Sequence, residues 1–194
     1  MSKELSLPLS HAEPASWPSA VGIVFLGSLF AAVCAHVSVP LYFTPVPLSL
    51  APFAVLILSL LLTPRMAAST FAAYLVEGAL GLPVFASTPL NPGGLAHLLG
   101  PTGGYLLAYP LSAFLISFLY RRIHRGFAAA ALCAAAGDLV ILASGALWLS
   151  ILTHASAQSA LSLAVIPFLP GDALKIVAAA ALAFGIHRLR RRAA

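Results

Sequence analysis

Long apolar runs, interrupted by clusters of proline, glycine and charged residues, dominate this sequence. Residues 14–64 contain no Asp, Glu, Lys or Arg, and a segment of this length can cross a hydrocarbon core of about 30 Å twice. Dividing the chain at its breakers predicts six helices, near residues 20–37, 48–63, 66–80, 103–122, 127–152 and 168–188. The pattern therefore predicts an all-α membrane protein, a bundle of about six transmembrane helices.

The links between the predicted helices differ in length and composition. Thr63, Pro64 and Arg65 form a turn so short that helices two and three must be antiparallel neighbours. The proline-rich segment 40–47 predicts an extended link, because proline cannot donate a helical hydrogen bond. The longest link, residues 81–103, is so rich in glycine and proline that we expect no helix in it. A long irregular outer loop is thus expected between helices three and four.

Composition supports a membrane protein and limits its domain organisation. Hydrophobic residues make up 61% of the 194 positions and charged residues 8%, whereas soluble domains are about a quarter charged. This length allows one membrane domain, expected at residues 20–188, between an N-terminal tail (1–19) and a basic tail (189–194). The first apolar segment lacks a cleavage site, so we expect no cleaved signal peptide.

The basic residues predict the orientation of the chain. If both termini are cytoplasmic, nine of the ten Lys and Arg residues lie on the cytoplasmic side, which the positive-inside rule favours. These are Lys3, Arg65, Arg121, Arg122, Arg125, Arg188, Arg190, Arg191 and Arg192. The net charge of +5 then reflects topology and contact with anionic lipid in the bilayer, rather than nucleic-acid binding.

Four ionisable residues fall at the predicted membrane depth: Glu77, Asp138, Asp172 and Lys175. Each costs a few kcal/mol there, on the order of 3, unless it is paired or faces a polar cavity. Asp172 and Lys175 are three residues apart, so they share one helix face. One interpretation is a structural ion pair, with Asp172 capping the helix. The other is an outward-facing pocket for a urea-like ligand, in which the carboxylate accepts N–H groups and the ammonium donates to a carbonyl.

Other candidate residues carry weaker signals. Asn91, in the long loop, can donate and accept hydrogen bonds at a ligand, although the loop could also be a plain connector. Glu77 could contact ligand, hydrogen-bond at the pocket edge or reach the membrane interface. Asp138 is expected to hydrogen-bond between helices, because it lies nearer the cytoplasmic half.

Small residues form a ridge on helix one, at Gly27, Ala31 and Ala35. Such a ridge lets another helix approach closely, either within the bundle or in a partner membrane subunit. The chain has no GxxxxGK[ST] phosphate loop, no HExxH and no paired cysteines. We therefore expect no ATP hydrolysis by this chain and no metal site.

Four motifs resemble the BioY family, the biotin-specific substrate-binding (S) components of energy-coupling factor transporters. They are Thr-Pro-Val-Pro at 44–47, the segment YLVEGALGLPVF at 74–85, GPTGGYL at 100–106 and IPFLPGDALK at 166–175. The resemblance implies a six-helix subunit that captures biotin from outside a bacterial inner membrane, without covalent chemistry or a cofactor. It also implies partners: a membrane-embedded coupling (T) subunit, with Gly27, Ala31 and Ala35 as the docking ridge, and two ATPase subunits.

In such families the pocket lies among the outer loops and the outer ends of helices four to six. The resemblance assigns Asp172 to an N–H of the ureido ring and Lys175 to its carbonyl. The further expected ligand contacts are Asn91, Glu77, Gly103 and Tyr105.

Two alternatives stay open from the sequence. The chain could be a stand-alone proton-coupled transporter, with Glu77 or Asp138 as the proton relay. It could also be a membrane-embedded enzyme, such as a lipid-modifying transferase with Asp172 or Glu77 as base. Whether it forms homo-oligomers is equally open.

Overall fold

The computed structural model describes residues 17–86, 93–123 and 126–193, which form eight α-helices and one two-stranded sheet. The helices are α1 (Trp17–His36), α2 (Ala51–Leu61), α3 (Pro64–Ala79), α4 (Leu95–Leu99), α5 (Gly103–Arg122), α6 (Phe127–Thr153), α7 (Ala157–Ala164) and α8 (Leu169–Ala193). The strands are β1 (Ser38–Val39) and β2 (Leu48–Ser49). All six predicted helices are present, as α1, α2, α3, α5, α6 and α8.

Two short helices lie where the sequence predicted only links. The long loop, expected to contain no helix, contains α4, which begins after Gly94 at a positive φ of 77° and ends before Gly100. The link at 153–167 contains α7, whose N-cap Ser156 accepts a hydrogen bond from the backbone N–H of Ser159. Gly94, Gly100 and Ser156 lie at the ends of these short helices. Glycine and serine are favoured at helix ends, so they limit the length of the two helices without preventing them.

The proline-rich segment 40–47 contains no helix, as predicted, but the prediction that it is extended is wrong: it turns and bends, which brings its two flanking strands side by side. Ser38 pairs with Ser49 and Val39 with Leu48 in an antiparallel ladder. Helix two therefore begins at Ala51 rather than residue 48.

Four helices, α1, α5, α6 and α8, are long and apolar enough to cross a membrane. Helix α2 has 11 residues and α3 has 16, whereas a full crossing takes about 20. Length and composition thus establish a multi-pass chain, and the two shorter helices do not meet this criterion.

The helix ends gather at two opposite ends of the bundle. Ser117 donates a hydrogen bond to the Leu62 carbonyl at 2.6 Å, and the His187 ring lies 5.9 Å from the Tyr120 ring. These contacts bring the last turns of α2, α5 and α8 together. We call this the arginine end, because it carries Arg65, Arg121, Arg122, Arg188, Arg190, Arg191 and Arg192.

Three links meet at the other end, which we call the loop end. The first link (residues 37–50) joins α1 to α2, the second (80–102) joins α3 to α5, and the third (154–168) joins α6 to α8. The hydroxyl of Thr44 donates to the Leu163 carbonyl at 2.9 Å, so the first link is tied to α7. The indole of Trp148 donates to the Gly100 carbonyl at 2.8 Å, so the link before α5 is tied to α6. These hydrogen bonds hold described parts of the links against the helices at this end.

Packing differs between the two halves of the bundle. In the arginine half, a buried cluster joins α2, α5, α6 and α8 through mostly small side chains, including Ala130, Ala134, Ala179, Ala180 and Ala183. Small residues let helices approach closely, so this half is filled by direct helix contact. Most of the buried aromatic residues, among them Phe71, Tyr74, Tyr105 and Tyr109, belong to the other cluster, whereas Tyr120 belongs to the alanine-rich one.

Helices α5 and α6 approach each other closely at Gly104. A Cβ added there would lie 2.7 Å from the Ser144 backbone oxygen and would overlap Trp148. We expect Gly104→Ala to lower stability by about 1–3 kcal/mol, because backbone atoms cannot yield as a flexible side chain can. The measurement is the unfolding midpoint in detergent. Gly22→Ala is the matched control, since nothing lies within 4 Å of its added Cβ; equal stability of the two variants would contradict this packing.

Candidate ligand-binding site

A cavity opens at the loop end, between the helices and beneath the three links. The space not occupied by atoms is about 590 Å³, including the open mouth. Helices α2, α5, α6 and α8 contribute most of its wall. Each link also contributes: Val46, Pro47 and Ser49 from the first, Ala86 and His97 from the second, and Phe168 from the third.

Asp172 and Lys175 lie side by side on the first two turns of α8. The Lys175 ammonium donates to Oδ1 of Asp172 at 2.9 Å, and the two residues are 4% and 7% exposed. Both line the cavity. The two sequence interpretations therefore coexist: the residues form an ion pair, and the pair faces a cavity rather than lipid. Asp172 does not cap α8, because the helix begins three residues earlier.

Aromatic rings form the wall beside this pair. The Tyr105 hydroxyl donates to the Ala164 carbonyl at 2.6 Å, and its ring occupies the space left by Gly145. Phe168 lies 6.1 Å from that ring, between centroids. Because the Tyr105 hydroxyl donates its proton to Ala164, this residue offers the cavity its ring and no free O–H donor.

The second link supplies a polar wall. His97 is buried and stacks on Phe85, with 5.0 Å between ring centroids. Burial lowers the pKa of His97 below its ordinary value of 6.5, so the ring is neutral at pH 7. The Thr102 hydroxyl is buried at the cavity without a hydrogen-bond partner in the described part of the chain. An incoming ligand could supply that partner.

Asp138 corrects a sequence-based interpretation. We expected it to hydrogen-bond between helices, but in the residues described here its side chain forms no hydrogen bond or ion pair. It is 4% exposed and lines the cavity with Ile141 and Leu142, which lie three and four residues on along the same face of α6. Asp138 is thus a third ionisable group of the site.

Three other predicted contacts are not on the described cavity wall. Glu77 accepts a hydrogen bond from the Ser28 hydroxyl at 2.8 Å, which joins α3 to α1. Gly103 packs against the link, where an added Cβ would overlap the Leu98 carbonyl oxygen. Asn91 lies outside the described residues, so its contact with ligand stays a prediction.

The small-residue ridge of α1 faces inward. Gly27 packs against Thr70 of α3, with 2.7 Å between an added Cβ and the threonine methyl. Ala31 and Ala35 are each 1% exposed, and Ala35 lines the cavity. In this conformation the ridge serves packing within the bundle, because a partner subunit cannot reach buried side chains.

Several cavity residues were missed from the sequence. Tyr109 lies four residues after Tyr105, a spacing that indicates a shared helix face and could have identified it. Tyr74, Thr102 and Phe168 lie within the recognised motifs, but nothing in their spacing distinguishes ligand contact from packing.

Comparison with known proteins identifies the family of this chain. The sequence pattern that defines the BioY family matches residues 9–192. The chain belongs to the BioY family. The resemblance inferred from the four motifs is therefore confirmed.

Individual BioY relatives match over most of their length. The probable biotin transporter BioY of Pyrococcus horikoshii is 36% identical over 163 residues, which cover 84% of this chain and 93% of the relative. The biotin transporter BioY of Thermotoga maritima is 36% identical over 157 residues, 81% of this chain and 89% of that relative.

A solved structure has the same fold. It is the S-component for biotin from an ECF-type ABC transporter, with a TM-score of 0.80 over 88% of this chain and 92% of that one, at 24% identity. This likeness shows that the two chains share one fold.

The Tyr105 hydroxyl should contribute to stability. Tyr105→Phe removes a buried hydrogen bond and leaves the Ala164 carbonyl without its donor, so we expect a loss of about 1 kcal/mol in unfolding free energy. The measurement is unfolding in detergent. Tyr42→Phe is the control, since Tyr42 is fully exposed at the loop end. If both variants lose the same free energy of unfolding, the hydrogen bond to the Ala164 carbonyl does not stabilise the fold.

Proposed function

We propose that this chain captures biotin at the loop end and transports it, as the S component of an ECF transporter. The observation that carries the proposal is the buried Asp172–Lys175 pair on the wall of a cavity. Membership of the BioY family and the names of its relatives support biotin as the ligand. As a member of a transporter family, the chain is not an enzyme.

The chemistry of the pair suits a cyclic urea. A ureido ring has N–H donors, which the Asp172 carboxylate accepts, and a carbonyl, to which the Lys175 ammonium donates. Hydrogen bonds that involve a charged partner are about twice as strong as neutral ones. The apolar rest of the bicyclic ring then meets the faces of Tyr105 and Phe168. We further propose Asn91 as a contact from the link and Thr102 as an additional hydrogen-bonding group.

The proposed arrangement in the membrane is a domain of six membrane helices at residues 20–188, with both termini cytoplasmic in a bacterial inner membrane. The gathering of seven arginines at one end supports this orientation. Helices α2 and α3 would form a shorter hairpin from that end. The strand pair and the links would cover it on the outer side.

Translocation calls for partners. The alanine-rich cluster fills the arginine half, so a ligand in the cavity cannot leave toward that end without a rearrangement. The chain has no phosphate-binding loop to drive one with ATP. We propose that a membrane-embedded T subunit and two ATPase subunits supply the energy.

Proton-coupled transport by the chain alone is the second candidate, favoured by the position of Asp138 on the cavity. Purified chain in liposomes distinguishes the two. Uptake of labelled biotin driven by a pH gradient would favour the second candidate, whereas uptake that requires the ATPase subunits and ATP would favour the first.

Removing either member of the ion pair should weaken biotin binding. We expect Asp172→Asn and Lys175→Ala each to cost about 1–3 kcal/mol of binding free energy, because each removes a charged hydrogen-bonding partner. Calorimetric titration of the detergent-purified protein measures this. Leu174→Ala is the control, since this side chain is on the same turn and 70% exposed. Unchanged affinity in either pair variant excludes the pair from the site.

A further inference from the structure

We propose that Asp138 carries a proton in the loaded cavity, so that ligand capture is linked to protonation of this carboxyl group. The inference rests on the proposed biotin-binding function. It concerns Asp138, which is not part of the ion pair and forms no hydrogen bond between helices among the described residues.

The charges on the cavity wall do not balance. Among the described residues of the wall, the carboxyls of Asp138 and Asp172 can carry a negative charge and the ammonium of Lys175 a positive one. Lys175 lies 2.9 Å from Asp172, so its charge is already compensated. Asp138 interacts electrostatically with both, but it has no hydrogen bond or ion pair of its own in the described residues. With both carboxyls ionised, the cavity would hold one uncompensated negative charge.

Burying an ionised carboxylate without a partner costs free energy, and such a group takes up a proton rather than remain charged. Asp138 is 4% exposed in the middle of an apolar helix that is long enough to cross a membrane. Its solvation therefore comes from the cavity. Any ligand that fills the cavity displaces that water.

Two effects of biotin act in the same direction. The ligand removes water from around Asp138, and its carboxylate, at the other end of the molecule from the ureido ring, adds a negative charge to the same cavity at longer range. Both disfavour ionised Asp138 and favour the neutral acid. A neutral acid is also a hydrogen-bond donor, so it can face a ligand oxygen that a carboxylate would repel. The loaded protein thus retains the proton to a higher pH than the ligand-free protein does.

The other titratable groups around the cavity leave a usable pH range. Helix α8 contributes Asp172 and Lys175, already paired, and α5 contributes Tyr105 and Tyr109. Tyr74 of α3 and His97 of α4 face the cavity from the other side, while α2 and α7 contain no titratable residue. The phenols ordinarily titrate near pH 10, and His97 is neutral above 6.5 because burial lowers its pKa.

Calorimetric titration with biotin from about pH 6.5 to 9 tests the inference, in two buffers of different ionisation enthalpy. We expect affinity to fall by up to about tenfold per pH unit once the ligand-free protein loses the proton, with uptake approaching about one proton per ligand. Asp138→Asn should show a flat pH profile and no proton uptake. His97→Gln is the matched control and should keep the wild-type slope, whatever its absolute affinity.

Infrared difference spectra on biotin binding give a second readout. The C=O stretch of a protonated carboxylic acid should be present in the loaded protein and absent from Asp138→Asn. A wild-type affinity that is independent of pH with no proton uptake would overturn the inference, even if the variant cannot be purified. A variant that keeps the wild-type slope would overturn it too.

The same titration separates this inference from the proposed function. Failure to bind biotin at any pH would contradict the function itself. Binding with an affinity independent of pH would leave the function intact and remove only the role of Asp138.

Discussion

The burial of an ammonium and a carboxylate on adjacent turns of α8 is the constraint on which the site depends. Either charge alone is costly at membrane depth, and their contact at 2.9 Å offsets much of that cost. The pair leaves further hydrogen-bonding positions on both groups, and these need polar partners. The cavity at the loop end provides room for such partners. A bundle packed without a cavity would leave the remaining hydrogen-bonding positions of these two side chains unsatisfied.

The bundle meets this requirement by dividing its packing. In the arginine half, alanine and other small residues allow direct helix contact, which leaves little space between α6 and α8. In the loop half, larger aromatic side chains pack between the helices, and the hydroxyls of Tyr74 and Tyr105 donate to backbone carbonyls of the links. Tyr105 has two roles, because its hydroxyl holds α7 and its ring faces the cavity. The site is therefore open where its ligand enters and closed toward the opposite end.

The sequence predicted the six principal helices and the charged pair, because long apolar runs and a three-residue spacing are strong local signals. It did not predict α4 and α7, since each is a short apolar segment between residues that also break helices. It also misjudged Asp138, and it left both roles of the Gly27 ridge open, for a common reason. Helices α1 and α6 are apolar on every side, so the hydrophobic pattern does not show which face points inward. That rotation is set by tertiary packing, such as the fit of Gly27 against Thr70.

The two carboxyls of the cavity therefore have different chemistry although they belong to the same residue type. Asp172 has a counter-charge within hydrogen-bonding distance and serves as an acceptor. Asp138 has no such partner among the described residues and lies on an apolar helix, so a negative charge there is not compensated by a neighbouring group. When two like groups occupy one site, opposite environments assign them opposite roles. A ligand with both N–H donors and oxygen acceptors uses both, whereas a cavity with two ionised carboxylates would repel its acceptors and its own carboxylate.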